Sequence, residues 1–301
     1  MSTNAMGSSG LIMPGMEELL GTQNEGRKRT LVLVVHSTKG GVGKTTISKN
    51  LAHAFLSLSL SVVIMDANTD GNVAEQMGAS FTNTLDHWHY MKGDLEEATL
   101  KQYLGRDQFG VYVLASGSLP IIKKEAIERA MNNLIKYFDV IIVDTETKLG
   151  GTILPTLEYA DRAILVGNDN PSMYPRLQFR FQQFQQIDKI KLHNVDLILN
   201  RNMNIAQTKS RDIENTLQRK ITREFDYEEL VKRTETDRRS TYFDARKSKF
   251  AKNMRQYALS ICDAHNISYT LPKKKRFFHA KPAPMTPRQY ASAPNQNYTG
   301  W

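Results

Sequence analysis

The chain carries one cysteine, Cys262, among 301 residues. A single thiol excludes an intrachain disulfide framework and any metal centre held by several cysteines of one chain. A reducing cytoplasm is the expected setting. Long apolar runs are also missing. The longest weakly polar stretch, Leu51–Met65, is interrupted by His53, Ser57, Ser59 and Ser61. It therefore reads as the end of a helix followed by a strand, not as a membrane span, and no secretory leader is evident. Acidic residues vanish toward the far end, where none follows Asp263. There Pro272, Pro282, Pro284, Pro287 and Pro294 make a long helix improbable.

What is present is enough to bury an α/β core: 40% of the residues are hydrophobic. The formal net charge of +9 is unevenly spread. Residues 1–200 hold 19 Lys+Arg against 21 Asp+Glu, whereas residues 201–301 hold 21 against 10. A basic C-terminal third on a near-neutral body points to an anionic partner, nucleic acid or membrane surface. A plain solvated face is the alternative between Arg211 and Arg255, where nine acids are interleaved.

The chain is organised around Ser37-Thr38-Lys39-Gly40-Gly41-Val42-Gly43-Lys44-Thr45-Thr46, which joins the apolar run Leu31–Val35 to a helical pattern from about Thr45 to Ser59. A glycine-rich turn between a buried strand and a helix start makes an anion site, because backbone N–H groups converge there and the helix dipole is positive. Lys44 is then expected to reach the β- and γ-phosphates, the Thr45 hydroxyl to hold Mg²⁺, and Thr46 to lie near the α-phosphate. The common pattern G-x-x-x-x-G-K-[ST] fails at its first position, occupied by Thr38. The match is instead to K-G-G-x-G-K-[ST]-[ST], with a second lysine at Lys39, and this resembles the deviant Walker A motif of the ParA/MinD family of ATPases. The resemblance implies that Gly40, Gly41, Val42, Gly43, Lys44, Thr45 and Thr46 bind ATP. It also implies that Lys39 crosses a dimer interface to the nucleotide of the partner subunit.

Further along, Val62–Met65 ends at Asp66-Ala67-Asn68-Thr69-Asp70-Gly71-Asn72, which is similar to the family's D-x-D-P-Q-G-N at Asp66, Gly71 and Asn72. The resemblance assigns Asp66 to Mg²⁺-bound water and places Asn68 where the family has the Asp that activates the attacking water. An amide cannot accept a proton as a carboxylate does, and such help is typically worth about 10²–10⁴-fold. Either Asp70 takes over that task, or Asn68 only positions water and hydrolysis is very slow. Asp139–Asp144 is an apolar strand closing on an acid and resembles the Walker B strand, with Asp144 supporting Mg²⁺ through water. The loop that follows, with Gly150 and Gly151, fits a switch that senses the γ-phosphate, and Glu146 is a second water-orienting candidate. Val195–Asn200 resembles the strand whose final Asn bonds adenine, here Asn200. His87 and His89 are two apart without further ligands and read as surface or packing residues.

The remaining patterns are a strand at Val111–Ala115, a helix over Pro120–Tyr137 and a strand at Arg162–Gly167. A helix opened by Pro171 and Pro175 follows, with Leu177, Phe181, Phe184 and Ile187 on one apolar face as core or dimer surface. Residues from Ala206 to about His265 read as helical. Alternating strands and helices argue an α/β fold, a mostly parallel central sheet with helices on both faces and the ligand at the strands' carboxyl ends. Residues 1–28 are expected to be a disordered leader, 29–265 the P-loop ATPase domain, and 266–301 a disordered basic tail. The functional expectation is a ParA-like ATPase using ATP and Mg²⁺. It pairs as a homodimer with ATP, binds DNA non-specifically and answers to a cargo- or centromere-bound adaptor that stimulates hydrolysis. It works in the cytoplasm, on the nucleoid in a bacterium. The alternatives are an ATP-locked scaffold that does not hydrolyse, and a MinD-like ATPase positioned on a membrane.

Overall fold

Residues 29–81, 83–117, 121–187, 194–201 and 208–271 are described by a computed structural model. The expected leader at 1–28, the Lys273–Arg276 basic run and the rest of the tail from residue 272 lie outside the described residues. The described residues begin with β1 (Leu31–Ser37), α1 (Lys44–Leu56), β2 (Val62–Ala67) and α2 (Val73–Met77). After a 3₁₀ turn at Leu85–His89 come α3 (Glu97–Tyr103), β3 (Gly105–Arg106), β4 (Tyr112–Leu114), α4 (Lys124–Leu134) and β5 (Val140–Thr145). Then follow α5 (Ile153–Leu157), β6 (Arg162–Gly167), α6 (Tyr174–Gln185) and β7 (Val195–Asn200). The last elements are α7 (Ser210–Leu217), β8 (Arg223–Phe225), α8 (Glu229–Thr236), α9 (Thr241–Asp244) and α10 (Lys249–Ala264).

The eight strands form one sheet in the order β3-β4-β2-β5-β1-β6-β7-β8, parallel throughout except for the β3·β4 edge pair. The expected α/β architecture is the one observed. Strand β1 sits in the middle and is buried along its whole length, as a Val/Leu run covered on both faces must be. Its side chains alternate between two apolar layers. Leu31, Leu33 and Val35 pack with Ile47, Leu51 and Phe55 of α1 and with Met254 and Ala258 of α10. Val32 and Val34 pack with Ile127 and Met131 of α4 and Ile153 and Leu157 of α5. Helix α6 serves both layers, with Leu177 and Phe181 on the first and Phe184 on the second. The stripe read from the sequence is therefore core.

One expectation needs correction. The segment from Ala206 to His265 is not uniformly helical, because Arg223–Phe225 forms β8 and extends the sheet beside β7. Three residues are too short for a period of two to register, and the ladder with Ile198–Asn200 supplies what the local sequence does not. Phe225 is buried, with its ring 5.0 Å from that of Phe250. Residues 266–271 continue onto the body: Ile267 is buried and the Thr270 N–H donates to the Leu58 carbonyl at 2.9 Å.

Helix α10 is fastened to the sheet by a buried polar network as well as by its apolar stripe. Asp196 on β7 accepts from Arg162 of β6 and from the Tyr257 hydroxyl of α10, both at 2.7 Å. Burial and the Asp196 carboxylate hold the Tyr257 hydroxyl well above its ordinary pKa, so it stays a donor. Tyr257→Phe keeps the ring and strips one donor from a buried carboxylate that retains Arg162. The expected loss is about 1–2 kcal/mol of stability, read from the midpoint of urea unfolding.

Candidate functional site

The sheet's register assembles the site. Asp144 at the end of β5 stands opposite Val35 of β1 on one side and Asp66 of β2 on the other. Two carboxylates therefore sit in one row at the carboxyl edge of the sheet, directly below the turn that leads from β1 into α1. This is also where strand order reverses about β1, with β5 on one flank and β6 on the other, the place where open α/β sheets leave a crevice for ligand. The turn needs Gly43. Its φ of +88° lies in the left-handed region, and a Cβ there would stand 2.2 Å from Asn200 Nδ2. That amide, at the end of β7, donates to the Val42 carbonyl at 2.9 Å, so the turn is held from the far side of the sheet.

Asp144 is 1% exposed and is surrounded by donors from the first turns of α1. Lys44 Nζ lies 3.0 Å from Oδ1, the Thr45 hydroxyl donates to Oδ2 at 2.7 Å, and the Ser48 hydroxyl donates to Oδ1 at 3.0 Å. Asp66 is as deeply buried and accepts from the backbone N–H groups of Val73 at 3.0 Å and Asn68 at 3.3 Å. Burial first, and then the neighbouring Asp144, push its carboxyl up to about 7. A cation brought beside it would drive Asp66 to the carboxylate form. Gly71 is a matter of close approach: a Cβ would lie 2.2 Å from both Asp66 oxygens.

Above this floor opens a cleft of about 610 Å³ whose walls include Lys39, Lys44, Thr45, Thr46, Asn68, Asp70 and Glu146. Most of the residues expected from the sequence thus meet at this cleft, with Asp66 and Asp144 just behind the wall, while Val42 and Asn200 lie across the turn. Lys39, Gly40 and Gly41 are exposed along the rim. Asp70 is exposed on the opposite wall, whereas the Asn68 amide donates to the Thr145 carbonyl at 3.3 Å. Glu146 accepts from the Thr152 hydroxyl at 3.4 Å. The second hollow, of about 260 Å³, lies across the turn, lined by Gly41, Val42, Gly43, Asn200, Tyr227 and Phe250 among others. Thr46 borders both hollows, and its hydroxyl donates to Glu235 at 3.2 Å. His87 helps cap its own 3₁₀ turn and His89 Nε2 lies 3.1 Å from Lys123 Nζ.

Four contributors escape a sequence reading. Ser48 follows Lys44 by four residues and shares its helix face, a spacing that could have flagged it. Glu235 is 189 positions from Thr46 and carries no such signal. His36 and Arg180 form a buried pair behind the segment Thr145–Thr147. The Thr145 hydroxyl gives its proton to the Val35 carbonyl at 2.9 Å. It therefore accepts from His36 Nδ1–H at 3.0 Å, leaving Nε2 as the acceptor for the Arg180 guanidinium. Arg180 also donates to the Thr147 carbonyl at 3.4 Å.

The family model described as an AAA domain matches residues 30–194, more than half of the chain. The antiactivator FleN of Pseudomonas aeruginosa is 29% identical over 147 residues, 47% of this chain and 51% of that protein. The septum site-determining protein MinD of Buchnera aphidicola (subsp. Baizongia pistaciae) is 30% identical over 150 residues, 48% of this chain and 54% of that protein. The chain belongs to the ParA/MinD-type P-loop ATPases. This ParA/MinD-type chain spans about half the length of the curated relatives it matches. Among solved structures, a ParA family ATPase from Chlorobium tepidum TLS superposes with a TM-score of 0.68 at 20% identity, covering 77% of this chain and 98% of that one. The septum site-determining protein MinD from Pyrococcus horikoshii OT3, complexed with Mg-ADP, gives 0.67 at 17% identity, covering 79% and 98%. Identities this low speak for the fold.

Burial, then the Arg180 and Lys44 charges, hold His36 well below its ordinary pKa. Below about pH 6.5 the unfolded chain takes up a proton that the folded one refuses, so stability present above that pH is lost as pH falls. From this one group stability falls with pH below 6.5 by at most about 1.4 kcal/mol per pH unit. His36→Asn is expected to flatten that part of the stability–pH curve, measured by urea unfolding at half-unit steps.

Proposed function

We propose that this chain is an ATPase whose ATP-dependent pairing positions a DNA cargo, such as a plasmid, within the cell. The observation that carries it is the placement of two lysines at one cleft. Lys44 is buried against Asp144, while Lys39 stands exposed at the rim. The buried lysine serves the nucleotide of its own chain, and the outward one is suited to reach a nucleotide held by a second copy. The names of relatives support the positioning role, since they include septum site-determining and flagellum site-determining proteins.

The donor set fits ATP and Mg²⁺. Lys44 and the N-terminal turn of α1 hold the β- and γ-phosphates, and Gly40 and Gly41 admit them because nothing lies within 4 Å of a side chain there. Thr45 would hold the metal through its hydroxyl, and Asp66 and Asp144 would support it through water. Bound Mg²⁺ supplies neutralisation of the charge that develops on the transferred phosphoryl group. Asn200, already at the turn, takes the adenine in the smaller hollow. The exposed Arg238, Arg239, Arg246, Lys247, Lys249 and Lys252 form the surface for DNA phosphates. An adaptor bound to the cargo stimulates hydrolysis and so resets the pair.

Asn68 favours a second reading, in which the ATP-bound pair is a long-lived scaffold. Its side chain has no basic oxygen of carboxylate strength, and its amide is spent on the Thr145 carbonyl. Single-turnover hydrolysis separates the two. A wild-type rate equal to that of Lys44→Ala supports the scaffold, and a rate above it supports the cycle. Asn68→Asp is expected to raise that rate by roughly tenfold or more.

Pairing is tested by light scattering after size exclusion. ATP with Mg²⁺ is expected to double the mass seen with ADP or without nucleotide, and Lys39→Ala to bind ATP yet keep the single-chain mass. An unchanged wild-type mass at nucleotide-saturating concentration would refute the pairing.

A further inference from the structure

Helix α1 presents a second polar face, turned away from Asp144. Thr46, Lys49 and Asn50 lie three and four residues apart on it, and all three converge on the Glu235 carboxylate near the end of α8. The Thr46 hydroxyl donates to Oε2 at 3.2 Å, Lys49 Nζ lies 2.7 Å from the same oxygen, and the Asn50 amide donates to Oε1 at 3.2 Å. The Thr241 hydroxyl, at the start of α9, donates to Oε1 at 3.1 Å. Asn50 completes the clasp by accepting the Tyr242 N–H at 2.8 Å. Lys49 is 1% exposed, so its ammonium depends on this counter-charge. The turn between α8 and α9 is thus fastened directly under the phosphate loop. On its outer side it carries Arg238 and Arg239, with Arg246, Lys247, Lys249 and Lys252 following, all exposed.

We infer that Glu235 couples the nucleotide to this basic face. The physical reason is competition for one hydrogen. The Thr46 hydroxyl has a single proton to give, and Thr46 lines the cleft proposed for the phosphates as well as touching Glu235. A phosphate drawing on that hydroxyl takes a donor from Glu235 and sets a like charge beside it, in a site where Glu235 is only 18% exposed. The carboxylate retreats with the α8–α9 turn to which it belongs, carrying Arg238 and Arg239 with it. By linkage, a polyanion that holds the turn in its new place alters nucleotide affinity by the same factor. The coupling rests on the nucleotide assignment above and adds the residue through which it acts.

The test uses the full chain, a fluorescent ATP analogue with Mg²⁺, and hydrogen exchange of the peptides covering residues 229–245. In the wild type, saturating analogue is expected to change exchange there by roughly tenfold. Glu235→Gln removes the repelling charge but leaves Lys49 buried without a partner, so the paired change Glu235→Gln with Lys49→Met is the safer variant. Because that change removes one charge of each sign, it is expected to bind the analogue about as tightly as the wild type and to show exchange over 229–245 that no longer responds to it. Thr46→Val, saturated with analogue, is expected to lose the response as well. Analogue that binds the wild type without altering exchange in this segment would overturn the coupling alone. So would an unchanged response in the paired variant. Absence of any binding to the wild type would overturn the coupling together with the nucleotide assignment beneath it.

Discussion

A buried carboxylate at the centre of the sheet demands partners, and among the described residues Asp144 takes its side-chain donors from one helix. Lys44, Thr45 and Ser48 each spend a polar group on it. Asp66 lies across the strand pair and adds a second carboxyl group that water cannot reach. Two desolvated acids side by side are costly unless donors surround them. The start of α1 is therefore bound to the ends of β2 and β5, and the glycine turn is drawn tight above the acids. That constraint shapes the cleft and places Lys39 on its outer rim.

The same helix is tied from its other side by segments far away in sequence. Asn200 holds the turn at Val42, and Glu235 gathers Thr46, Lys49 and Asn50. These ties use polar atoms in places where the apolar layers alone would allow a helix to slide. A further buried set joins His53 of α1 to Asp107 at 2.7 Å and to Ser240 at 2.8 Å. It gives that helix a third polar anchor, beside the α8–α9 turn. The phosphate loop is thereby the meeting point of the sheet edge and the C-terminal helices.

Much of the site is legible in the order of residues alone. Gly43 must adopt a left-handed backbone, Lys44 and Thr45 follow at the helix start, and the apolar strands ending in Asp66 and Asp144 announce themselves by composition. Arg162–Gly167 and Val195–Asn200 are legible to the residue, because the apolar runs Ala163–Val166 and Leu197–Leu199 with polar or glycine residues at their edges leave little choice. The short strand at Arg223–Phe225 is not, since its hydrogen-bonding partner lies in β7 and its own three residues carry no period.

The sequence by itself determined the phosphate loop, the central strands and the imbalance of charge, because each is a local pattern of residue types. Only the tertiary structure decided that Asp66 and Asp144 face each other, that Ser48 joins Lys44 on one carboxylate, and that Glu235 sits beneath Thr46. Those are matters of strand register and of which distant helix packs where. Register and packing are set by the whole buried surface at once, so no single stretch of chain contains them.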